Sequence, residues 1–133
     1  MASKLTPQQI ETYRREGYCF PVDGISREHA AAARTDLEAY EVKLGAPLTA
    51  AGREERYKLH VRLPWACDIA RHPAILDAVE DIIGPDILVW TSTFFIKEPE
   101  TSAITMWHQD ATYFGLRPHD HITAWVALSD ASE

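Results

Sequence analysis

Cysteine is nearly absent from this chain. Only Cys19 and Cys67 occur in 133 residues, far apart and without metal-type spacing. That argues against a disulfide-stapled scaffold and a cysteine zinc site, and leaves two free thiols of the kind a cytoplasmic protein carries. Positive charge is also scarce, with 13 Lys and Arg against 20 Asp and Glu and a formal net charge of −7. The acids are dispersed, so the balance offers neither a basic stripe for nucleic acid nor one for an anionic membrane. No apolar run approaches the length of a membrane span, and the polar start Met1-Ala2-Ser3-Lys4-Leu5-Thr6 lacks the apolar stretch of a secretory signal. Repeats, low-complexity tracts and linkers are missing too, so residues 1–133 read as a single domain, expected in the cytoplasm.

What is present divides into a helical front and an extended rear. Thr6 is placed to cap a helix with Pro7 in its first turn and Gln9 completing a capping box; Ile10 and Tyr13 give it an apolar stripe and Gly17 stops it. Residues 18–22 read as a short strand. Ser26 caps a second helix that runs through four alanines, Leu37 and Tyr40 to Leu44, with Gly45 as its stop. Residues 45–57, with Gly45, Pro47, Gly52 and four charges, read as a polar loop. A short helix is expected at 65–71. A longer one starts near Pro73, carries Ile75, Leu76, Val79, Ile82 and Ile83, and ends at Gly84-Pro85. Residues 87–96 are apolar, β-branched and aromatic, as a buried strand requires; residues 105–108 and 122–129 read as two more strands. Helices first and strands later indicate α+β with a sandwich or barrel.

The densest chemistry lies in Trp107-His108-Gln109-Asp110. On an extended backbone residues i and i+2 share a face, so His108 and Asp110 project together. One imidazole and one carboxylate are two-thirds of the 2-His-1-carboxylate triad that holds non-haem Fe(II) and leaves positions open. To ligate, the imidazole must be neutral and the carboxylate ionised.

Around that pair the stretches Lys58-Leu59-His60, Leu63-Pro64-Trp65, residues 82–90, Phe94-Phe95-Ile96-Lys97 and Thr123-Ala124-Trp125-Val126-Ala127-Leu128-Ser129-Asp130 fall in a characteristic order. Together with Trp107-His108-Gln109-Asp110 they make the chain resemble the phytanoyl-CoA dioxygenase family of Fe(II)/2-oxoglutarate oxygenases. The resemblance implies a double-stranded β-helix, the jelly-roll of cupins, with Fe(II) as cofactor, 2-oxoglutarate as co-substrate and a small organic molecule as substrate. It also implies hydroxylation, because the halogenating relatives carry a small residue where Asp110 stands. In the family a second His and a basic residue for 2-oxoglutarate lie well downstream. Here only His119 and His121 follow, in what reads as a loop, so the chain is expected to encode an N-terminal portion with an incomplete jelly-roll and no distal His.

Further residues take candidate roles from the resemblance. Lys58 and Lys97 would pair with an oxoglutarate carboxylate, or else be solvated lysines; Lys58-Leu59-His60 is expected to alternate, aiming Lys58 and His60 to one side. Tyr113 would reach the oxoglutarate pocket or wall the substrate, or else pack in the core. Thr123 and Trp125 share a strand face and form the expected inward set; Trp107 is expected to pack, and His29 and His72 to be surface or capping residues. Two other functions compete with the oxygenase: a cupin-like module that binds metal or a small ligand without turnover, and an inert fragment. Strand edges left bare in a partial jelly-roll would favour a homo-oligomer.

Overall fold

Helix-start and helix-stop signals crowd the first two-thirds of the chain, and the helices form there. In the computed structural model, which describes residues 3–97, 100–102 and 104–130, α1 spans Pro7–Glu16. Its capping box is complete: Thr6 Oγ1 accepts from the Gln9 amide, and the Gln9 side chain accepts from the Thr6 amide. Gly17 ends it at φ 82°, a conformation that favours glycine. Leu5, just before the cap, is buried, and its amide donates to Asp81 Oδ2 at 2.6 Å. That bond ties the start of α1 to a helix far along the chain. It also holds the Asp81 carboxyl below the usual carboxylate range, the Leu5 amide being the largest cause.

The second helix, α2, spans Arg27–Leu44 between the Ser26 cap and Gly45. It buries Ala33 and Leu37, four residues apart on one face. Next come α3 (Arg53–Arg56), a 3-10 turn (Leu59–Val61), α4 (Pro64–Ala70) and α5 (Pro73–Ile83). His72 caps α5 by accepting from the Ala74 amide at Nδ1, as a capping role required. The turn and α4 pack together, and α4 also meets α2. The core is small and aliphatic: Leu5, Ala33, Leu37, Leu48, Leu59, Ala66 and Val79. Leu48 and Leu59 are only 1% exposed.

Two local expectations need correction. Residues 45–57 are not all loop, since Gly52 precedes the single helical turn α3. Lys58-Leu59-His60 does not alternate as a strand. Lys58 takes φ 54°, ψ 34°, and the chain coils into the 3-10 turn that drives Leu59 into the core.

The larger difference concerns strands. Among the described residues, stretches 18–22, 87–96, 105–108 and 122–129 form no strand ladder; the one β-bridge is the antiparallel Tyr57–Thr93 pair, beside a bond from the Lys58 amide to the Ser92 carbonyl. A strand is defined by a partner's backbone groups, which local β-propensity does not supply. The period of two survives without the ladder: Ile87, Val89 and Thr91 are partly covered, while Leu88 and Trp90 are exposed. The jelly-roll half of the expected fold is therefore not formed among the described residues.

A cavity of about 530 Å³ lies between the helical front and this extended rear. Leu5, Val22, Ile75, Val79, Ile122 and Val126 are among its mainly apolar walls. Both cysteines are free thiols. Among the described residues, no helix is long and apolar enough to cross a membrane.

Candidate metal centre

A short segment places the two expected ligands. Residues 105–109 run without regular structure into α6, Ala111–Phe114, with Asp110 at its start and Gly115 at its end. The i, i+2 relation predicted for His108 and Asp110 holds although no strand forms: His108 Nε2 stands 3.3 Å from Asp110 Oδ1. The other ring nitrogen, His108 Nδ1, is 2.7 Å from the Met106 carbonyl oxygen. A carbonyl can only accept, so Nδ1 carries the proton. In the neutral ring that leaves Nε2 as a bare lone pair. It is the arrangement metal-ligating histidines adopt, with the remote N–H donated to a carbonyl or carboxylate.

The other carboxylate oxygen of Asp110, Oδ2, accepts a short hydrogen bond from Thr123 Oγ1. Two electron-pair donors, Nε2 and Oδ1, therefore face one another. In a simple imidazolium–carboxylate pair the charge-assisted bond is normally about 2.7–2.9 Å. Two ligands about 2.1 Å from one ion at right angles stand roughly 3 Å apart. At 3.3 Å the two atoms leave room for one ion between them, and the donor types suit Fe(II). The pair thus fits two adjacent protein positions on a metal. No third His, Cys, Asp or Glu joins them among the described residues. His119 contacts the Arg117 guanidinium at 3.1 Å. His121 packs on Phe114 with ring centroids 5.7 Å apart, and its Nδ1 is buried without a hydrogen-bond partner.

The remaining candidates separate into those near the pair and those elsewhere. Tyr113 sets its ring edge-on to His108, centroids 5.9 Å apart, and is 71% exposed, so it is no core aromatic. Thr123 reaches Asp110. Trp125 is exposed and borders the apolar cavity, which neither His108 nor Asp110 lines. Lys58 places its ammonium over the Trp90 ring, 4.8 Å from the centroid. Lys97 is exposed, with no ion pair among the described residues. Trp107, expected to pack, is 90% exposed and meets the Tyr18 ring at a tilt, centroids 5.9 Å apart.

A second polar contact escaped the sequence. His60 Nδ1 lies 2.6 Å from Ser92 Oγ. Burial first, then the Lys58 charge, pushes the His60 imidazole below its ordinary value. Ser92 carries no signal in an apolar stretch, and its meeting with His60 depends on a bridge between distant segments. The Met106 carbonyl was equally invisible, since any residue supplies one.

Comparison with known proteins gives one positive finding. No curated protein and no solved structure matched the chain. The family model for phytanoyl-CoA dioxygenase (PhyH) matches residues 13–133, a span that includes His108, Asp110 and Thr123. Members of that family are typically Fe(II)- and 2-oxoglutarate-dependent oxygenases. The match covers most of the chain, which therefore belongs to the phytanoyl-CoA dioxygenase family.

Proposed function

We propose that the chain carries the metal-binding part of an Fe(II)/2-oxoglutarate hydroxylase acting on a small organic substrate, with His108 and Asp110 as protein ligands. The carrying observation is His108 Nε2 facing Asp110 Oδ1 at 3.3 Å, each side chain held from behind by a hydrogen bond. When bound, Fe(II) would bring 2-oxoglutarate and oxygen together, giving succinate, carbon dioxide and a hydroxylated substrate. The residues here would bind and orient. Met106 fixes the tautomer of His108, Asp110 presents one oxygen, and Tyr113 stands against the His108 ring as a wall for whatever occupies the open positions. Lys58 and Lys97 remain candidate partners for a carboxylate of 2-oxoglutarate, and the reading does not rest on them.

One observation favours a second reading, a module that binds metal without turnover: only two ligands of the set come together among the described residues. Two measurements separate the readings. Co(II) titrated into the protein should bind to wild type and far more weakly to His108→Ala; equal binding by the two removes the metal assignment. Succinate formed from 2-oxoglutarate by the purified protein, and lost in Asp110→Ala, selects the hydroxylase. Metal binding without succinate selects the module.

A further inference from the structure

We propose that Thr123 is the positioning residue of this centre: its hydroxyl holds one carboxylate oxygen of Asp110 and leaves the other to face the metal position beside His108. The inference rests on the metal reading above. Asp110 immediately precedes α6, where an aspartate ordinarily accepts from the amides of the first helical turn. Its side chain makes no such bond. The carboxylate is turned instead toward two residues outside the helix. Oδ2 accepts from Thr123 Oγ1, thirteen residues further on, while Oδ1 stands 3.3 Å from His108 Nε2.

The chemistry follows from that orientation. A threonine hydroxyl has one proton to donate, and here Asp110 Oδ2 receives it. A carboxylate free to rotate can grip a cation through one oxygen or through both. Tied at Oδ2, Asp110 ligates through Oδ1 alone, and the position its second oxygen would fill stays open for a co-substrate. The two ligands are thus locked alike, each by one hydrogen bond to the atom that does not ligate. For His108 the lock is the Met106 main chain, which substitution cannot delete. For Asp110 it is a side chain. Thr123 is itself exposed, so removing its hydroxyl leaves the aliphatic core untouched.

The test uses the full 133-residue chain with Co(II) as the probe, comparing wild type, Thr123→Val and Thr123→Ser. Valine keeps the shape and deletes the hydroxyl; serine keeps the hydroxyl. Thr123→Val should weaken Co(II) binding about tenfold, the lower end of what losing a ligand's outer hydrogen-bond partner does. Its visible Co(II) bands should also lose intensity as the second Asp110 oxygen enters the coordination shell. Thr123→Ser should restore both affinity and spectrum, and thermal melts of the metal-free proteins should coincide. If Thr123→Val lowers the helical signal, Thr123→Ala carries the same comparison. Wild-type affinity and spectrum in the valine or alanine variant overturn the proposal, as does failure of serine to restore them. A wild type that binds Co(II) no better than His108→Ala overturns the metal reading, and this inference with it.

Discussion

Replacing Leu59 by alanine should cost about 3–4 kcal/mol of stability. Leu59 is 1% exposed, inside the 3-10 turn that packs on α4. Truncation removes the equivalent of three buried methylene groups, worth about 2.4 kcal/mol at ~0.8 kcal/mol each. Cavity formation adds ~24 cal/mol per Å3 that the surroundings fail to refill, which raises the total into the range found for buried leucines. The same substitution tests the local architecture. Lys58 sits at φ 54° immediately before the turn, a backbone state that costs roughly 1 kcal/mol or more and persists only where its neighbours enforce it. The neighbours here are the buried Leu59 side chain and the bond from the Lys58 amide to the Ser92 carbonyl at 2.8 Å. Urea unfolding followed by far-ultraviolet circular dichroism measures the loss. Val61→Ala is the control, because Val61 lies in the same turn but is 69% exposed; it should cost less than about 0.5 kcal/mol. A Leu59→Ala loss below about 1 kcal/mol, or equal to that of Val61→Ala, would refute the placement of Leu59 in the core.

At the proposed metal centre, His108→Ala should weaken Co(II) binding well beyond the roughly 10–100-fold that follows loss of an outer partner, and Thr123→Val should fall near the bottom of that range with serine restoring it; a titration series over wild type and the three variants checks the ranking. The neutral His60 should make stability pH-dependent. Its folded-state affinity for a proton is lowered from the ordinary 6.5 by burial and by Lys58, so as pH falls through that value the unfolded chain binds more protons than the folded one. The contribution is complete above about 6.5 and drains away below it until folded His60 also protonates. Melting temperatures should therefore fall more steeply between about pH 7 and pH 5 in wild type than in His60→Asn, and parallel curves would exclude the effect. Finally, exposed Leu88, Ile104, Met106 and Trp125 lie in or beside extended stretches without a ladder, so the chain should associate at micromolar concentration. Light scattering coupled to gel filtration tests this, and a clean monomer that melts cooperatively contradicts it.

The helices were legible because their signals are local. Thr6 and Gln9 cap each other across three residues, Ser26 caps α2, and Gly17 and Gly45 supply the left-handed stops. Each is settled by neighbours in sequence, whatever the rest of the chain does. Two errors show where local reading fails. Lys58-Leu59-His60 has the alternation of a strand, but burial of Leu59 in the turn decides its backbone. Residues 87–96 have the composition of a buried strand, but composition names no partner, and among the described residues Tyr57 provides the only bridge.

The His108–Asp110 pair was legible for a related reason. His108 and Asp110 are two residues apart, and the Met106 carbonyl that fixes the His108 ring lies two residues before it. Everything needed to aim Nε2 is written into Met106-Trp107-His108-Gln109-Asp110, so the pair forms without a sheet beneath it. The bond from Thr123 is different in kind. Its thirteen-residue separation spans α6 and the loop after it, and no periodicity links the two positions. Alternation alone puts Thr123 and Trp125 on the inward face, but the structure leaves both exposed and partly covers Ile122, Val126 and Leu128 instead, with the Thr123 hydroxyl meeting one oxygen of one carboxylate. A short local motif thus sets which atoms face one another, and a distant hydroxyl sets how one of them is presented. On the proposed metal reading, changes at His108 or Asp110 should remove the centre, while changes at Thr123 should leave it in place but alter its coordination.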